Sequence, residues 1–327
     1  MKSKCHGQTM KELLLKNGFF IVMILVFIFF SVAANNFCTL SNIISILHSA
    51  APDLVYAVAA GWIIMMGMTD LSIGSVMYLT TAVFTVLYVN YQVPLPAALL
   101  AGIISGVLVG AVNGIIIVKF HVNSMIATMG TQIVFRGLAR TVLGGLPLAL
   151  ASSVTKISST KILGVYVDSI IAVLILVLIY IVHKRTKFGR YITAIGNSEA
   201  VAEKLGINVN KIVFASFLMS ALLAAFGGLI LEYQVAGVTL SFGAGKEFTA
   251  IAICVIGGFS MYGGKGDMLK GVLLGAMTLK IIEAGLNFMG ASPYAYKFVQ
   301  GGIIFVAMYA LSYQDLLALR NKKVKEG

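Results

Sequence analysis

The side chains of this chain that have chemistry to offer are ionisable groups placed inside apolar stretches. Each costs about 2.5–3.5 kcal/mol at the centre of a bilayer on insertion scales, so each needs a reason to be there. Lys280 and Glu283 stand three apart in LKIIEAGLN, which puts them on one helical face where they neutralise each other. Asn287 falls on the same side. This group reads first as structural. Asp53 and Asp70 bracket another apolar run. Asp70 opens DLSIG, in which Asp70, Ser72 and Gly74 have the composition of a helix N-cap and its leading turn. The other reading places Asp70 in a polar gap facing a solute pathway. Asn113 completes the set of polar groups, pathway or structural, with Asp70, Ser72, Lys280, Glu283 and Asn287. Glu232 and Glu247 read as wetted residues near a boundary, and Arg136 and Arg140 as side chains snorkelling outward.

No catalytic arrangement accompanies them. The GxxxxGK[ST] phosphate loop is missing, and GGKGD at 263–267 supplies only its Gly-Lys pair. The histidines at 6, 48, 121 and 183 and the cysteines at 5, 38 and 254 lack metal-ligand spacing. The expectation is no catalytic residue, no metal site and no cofactor held by this chain.

The elements that must position these groups are membrane helices. The 327 residues are 59% hydrophobic and 11% charged, with a mean hydropathy of +0.96, and this composition cannot cover a soluble domain of that size. At about 20 residues per crossing, the chain reads as about ten spans near 17–36, 51–69, 74–93, 95–118, 123–142, 166–182, 212–234, 247–261, 270–289 and 297–314. The eighth is short and Gly-rich, the composition of a broken or re-entrant element. The fold class is thus an all-α polytopic bundle. Residues 1–16 and 315–327 are tails, and 17–314 is the membrane domain. With both termini inside, 17 of the 24 Lys and Arg residues fall on the cytoplasmic side. The net charge of +12 is then an orientation signal rather than a nucleic-acid footprint. The Ser/Thr-rich stretch 143–165 reads as an outer loop with a short surface helix.

Gly102, Gly106, Gly110 and Gly114 form one stripe, and Gly271 and Gly275 another, where helices approach closely. There is a faint internal echo. Residues 57–75 resemble 250–267 at an offset of 193, and GVLVGA (106–111) resembles GVLLGA (271–276) at 165. Small-residue packing accounts for both.

One long polar segment, 183–211, interrupts the apolar chain. Lys184, Arg185, Lys187 and Arg190 suit anionic headgroups. Beyond them, Asn197 or Ser198 caps a short helix, Glu199 suits its first turn and Gly206 its end. Val201 and Leu205 share a face. A helix this short needs docking, on the bundle or on a cytosolic partner.

TKFGRYITAIGNSEAVAEKLGINV (186–209) closely resembles the cytoplasmic loop of permease subunits of bacterial ABC importers for ribose, xylose, galactosides and related sugars. MTDLSIGSVM (68–77), the run 110–139, AIAICVIGG (250–258), YGGKGDMLKGVLLGA (262–276) and ASPYAYKFVQGGIIFVA (291–307) resemble that family in the same order. The resemblance implies alternating access in the bacterial plasma (inner) membrane. It implies three protein partners: a cytosolic ABC ATPase that uses ATP and Mg, an extracytoplasmic sugar-binding protein, and a second permease copy, identical or sister. Asn197, Ser198, Glu199, Ala200, Ala202, Leu205 and Gly206 would form the ATPase-coupling element. Three stretches depart from the family pattern: Gly206 lies one place late, Met66 to Thr69 precede Asp70, and FSMYGGKGD follows span eight. The rival class is an ion-coupled secondary transporter, with Asp70, Glu232 or Glu283 carrying the ion.

Overall fold

Asn and Thr side chains begin several of the helices. Thr39 accepts a hydrogen bond from the Asn42 amide at 3.3 Å, Asn123 from Met125 at 3.0 Å and Asn208 from Lys211 at 3.0 Å. The computed structural model describes residues 18–292, 294–303, 305, 306 and 309. Both tails, 1–16 and 315–327, and much of the last expected span lie outside the described residues. The helices are α1 (Gly18–Ala33), α2 (Leu40–Ile64), α3 (Ile73–Val89), α4 (Leu95–Phe120), α5 (Ser124–Val142), α6 (Ser152–Ser159), α7 (Val167–Arg185), α8 (Lys187–Asn197), α9 (Glu199–Lys204), α10 (Val209–Val235), α11 (Lys246–Ile256) and α12 (Lys270–Phe288). Residues 294–303 are also helical. The strands are two-residue pairs: Leu148–Ala149 with Gly237–Val238, and Lys161–Ile162 with Val165–Tyr166. Among the described residues, α2, α4, α7, α10 and α12 are long and apolar enough to cross a membrane.

α2 is the central helix. Every residue from Ala50 to Ile64 is buried, against α7, α10, α11 and α12. It starts at Leu40, not at the expected 51. Its first turns are polar and escape a hydropathy window, yet their groups bond inward: Asn42 Nδ2 donates to the Phe37 carbonyl at 2.7 Å, and His48 Nδ1 lies 2.9 Å from Asp168. Both glycine stripes are packing faces. Gly102 and Gly106 abut Thr80, Gly110 abuts Phe217 and Ala221, and Gly271 and Gly275 abut α11. The Ser/Thr-rich outer stretch carries the expected short helix, α6.

α3 and α11 are among the described helices too short to cross. At about 1.5 Å per residue, the 11 residues of α11 reach about half a bilayer, as its composition predicted. α3 is preceded by an irregular stretch, 65–72, that runs back into the bundle. Leu71-Ser72-Ile73-Gly74 corresponds to Leu240-Ser241-Phe242-Gly243, an offset of 169. A Cβ on Gly74 would collide with the Gly243 carbonyl, and one on Gly243 with the Gly74 carbonyl. The packing repeats as well. α2 packs on α11 and α12 as α10 packs on α3 and α4, and α3 packs on α4 as α11 packs on α12. α2 and α10 run antiparallel, since Gln234 near the end of α10 donates to the His48 carbonyl near the start of α2. The second triplet is therefore an inverted copy of the first. The 165-residue echo differs from this offset by four residues, about one helical turn, and the 193-residue pairing by far more.

Candidate functional site

The first candidate is the end of the bundle that carries 183–211. Thr186 breaks the chain after α7, and its hydroxyl accepts from the Gly189 amide at 3.3 Å to start α8. Phe188, Ile192 and Ile195 turn toward the core, at helical spacing. A second helix here was not expected. The spacing of Phe188, Ile192 and Ile195 in KFGRYITAIGN would have revealed it.

α8 sits on two loops at once. A Cβ on Gly196 would collide with the Met65 carbonyl and stand 2.5 Å from the Gly264 amide. Gly264 N in turn donates to Met65 O at 2.9 Å. Met65 leads into the broken segment 65–72, and Gly264 lies in the loop leaving α11. Of the two expected caps, Ser198 is the one used, accepting from Val201 N at 3.4 Å. Asn197 instead ends α8, its side chain against Gly264. Gly206 closes α9 with φ +78°, and Ile207 N donates to the Ala202 carbonyl at 3.1 Å. That fixes the helix register with Gly206 where it stands. Ala202 is the inward contact, 1% exposed. Glu199 and Ala200 are exposed. Val201 and Leu205 are 54% and 72% exposed on one face of α9.

The second candidate lies inside the bundle, around the buried Asp70. Asp70 Oδ1 accepts from Ser72 N at 2.9 Å and Ser72 Oγ at 2.6 Å, and its Oδ2 accepts from Ser220 at 2.9 Å. Asn113 donates to Ser72 Oγ at 2.8 Å and accepts from Thr131 at 2.6 Å. Leu71 N donates to Thr128 at 3.0 Å and Thr69 N to Ser124 at 3.2 Å. Asp70, Ser72 and Asn113 thus rivet the irregular backbone of 69–72 inside the bundle, where it has no water to bond. Ser72 occupies the N-cap position of α3 without making a side-chain cap bond. Asp70 bonds within the turn before it, so the cap expectation is corrected by two residues.

Lys280 pairs with Glu283 at 2.9 Å, as expected, and also with Asp53 at 3.1 Å, 227 positions away and invisible to helical spacing. Lys246 adds a contact to Asp53 at 3.6 Å. Two cations face two carboxylates, so the cluster is neutral. Asn287 is exposed beyond it.

Two boundary expectations fail, the second in part. Glu232 is 0% exposed and bonded to Thr85, and Glu247 is 3% exposed. Arg136 turns inward and donates to the Phe242 carbonyl at 3.1 Å, while Arg140 stays exposed and donates to the Leu240 carbonyl at 3.3 Å. They hold the loop before α11 through two of its carbonyls.

Residues 42–308 match a family described as the permease component of branched-chain amino acid transport systems. The chain is 30% identical to a ribose import permease protein of Haemophilus influenzae, over 96% of this chain and 98% of that one. It is 32% identical to the ribose import permease protein of Escherichia coli strain K12, covering 91% and 94%. A D-allose transport system permease protein of the same strain is 29% identical, covering 89% of each. No solved structure matches the chain.

Proposed function

Because this chain belongs to the family of permease components of branched-chain amino acid transport systems, we propose that it is the membrane subunit of an ATP-driven importer for a sugar or sugar-like solute. The relatives' names, which specify ribose, galactose and allose, support the sugar class. The protein works in the bacterial plasma membrane with about ten spans and both termini in the cytoplasm. Its partners are a cytosolic ABC ATPase that consumes ATP with Mg, an extracytoplasmic sugar-binding protein, a second permease copy and the surrounding lipid.

The observation that carries this reading is α9. Six residues bury Ala202 and leave Val201 and Leu205 uncovered. A helix this short holds its shape by packing, and its outward apolar pair fits a groove on the ATPase. The force path is short. Movement of α9 shifts α8, and α8 rests through Gly196 on Met65, at the start of the first broken segment, and on Gly264, in the loop leaving α11. ATPase closure thereby moves both halves of the bundle together. The neutral Asp53–Lys280–Glu283–Lys246 cluster and the satisfied Asp70 network leave no free charge there to hold a neutral sugar tightly.

The test is uptake of radiolabelled D-ribose, D-galactose and D-allose into proteoliposomes holding the full importer, with ATP supplied and ion gradients collapsed by ionophores. Uptake that persists is expected. Uptake that stops with the gradients would make this an ion-coupled transporter.

A further inference from the structure

The crossing of the two broken segments has an unequal chemistry. On the Asp70 side every carboxylate and amide group named above has a partner. On the α11 side two buried atoms, Arg136 Nη2 and Glu247 Oε2, have no hydrogen-bond partner among the described residues. Both adjoin Gly74, where a Cβ would collide with Glu247 Oε2 and come within 3.2 Å of Arg136 Nη2. Gln132 completes the group, donating to Glu247 Oε1 at 2.8 Å. Gln300 donates to Thr249, one half-turn along α11, at 2.9 Å.

We infer that Gln132, Arg136 and Glu247 form the point at which the pathway contacts its solute's hydroxyl groups. This rests on the importer reading above. A hydroxyl is donor and acceptor at once; Glu247 Oε2 accepts and Arg136 Nη2 donates, so adjacent hydroxyls of a polyol satisfy both. Gln132 and Arg136 are half-buried on α5, at the edge of the exposed side that carries Met129 and Ile133, and opening of the bundle would bring the two buried atoms within reach of solute. Gly74 lets the backbone close tightly over both atoms, leaving no room for a side chain there. The position also suits transport, since two leftover atoms bind weakly enough to release. The selectivity is modest and adds to that of the binding protein.

The test uses the complete importer in proteoliposomes. Gln132→Cys, with the native cysteines replaced, is treated with a membrane-impermeant thiol reagent at rest and during ATP turnover. Labelling during turnover is expected, because the position meets water when the pathway opens. Glu247→Gln, near-isosteric, is expected to lower sugar moved per ATP about tenfold. A Gln132→Cys thiol that stays unlabelled in both conditions, or unchanged sugar per ATP in Glu247→Gln, overturns the inference. Wild-type importer that moves none of the three sugars with ATP overturns the importer reading itself.

Discussion

The two broken segments, 65–72 and 239–245, are one backbone device used twice in opposite directions, and they are finished differently. The first is closed by neutral hydroxyls and an amide around Asp70, with each partner within 3.2 Å. The second is held by Arg136 and Arg140 on carbonyls and retains two unbonded polar atoms. A closed network rigidifies a fold. Leftover buried groups cost stability and are kept where something else uses them. The difference separates a structural half from a working half inside one symmetric frame.

Substitutions can break that contrast. The largest effect belongs to the junction that both halves share. Gly196→Val drives side chain into Met65 and Gly264, and a loss of about 4 kcal/mol or more should leave little folded permease on a detergent size-exclusion profile. Lys280→Met leaves Asp53, 1% exposed, with only the longer Lys246 contact, and should cost about 3 kcal/mol in thermal melting, with Asp53→Asn in the same chain recovering part of it. Asn113→Ala removes two bonds of the closed half. About 1–3 kcal/mol should be lost in melting, while sugar moved per ATP stays near wild type. A large fall in that ratio with unchanged melting would reverse the roles of the two halves. Asn287→Ala, beyond the charged cluster, should stay within about 0.5 kcal/mol.

What could be read from the sequence followed local physics. The glycine stripes, the Lys280–Glu283 pair, the Ser198 cap and the Gly206 stop all involve residues within one or two turns. The start of α2 was missed because Asn42, Ser45 and Ser49 look polar but bond back to the chain. Asp53–Lys280 was missed because nothing local links residues that far apart. Arg136 and Glu247 looked like boundary residues because their depth depends on where a broken helix begins. The echo reads as small-residue packing in the sequence, and neither of its offsets, 193 and 165, is the 169 that relates Leu71–Gly74 to Leu240–Gly243. Only the contact between Gly74 and Gly243 identifies the pairing.

The central claim is that α9 is the handle by which an ATPase moves both halves. Val201→Asp with Leu205→Asp changes only exposed side chains of α9. The decisive measurement is how much ATPase co-purifies with this variant in detergent, beside its melting temperature. The account predicts loss of the ATPase with the melting temperature unchanged. ATPase retained at the wild-type ratio would contradict it.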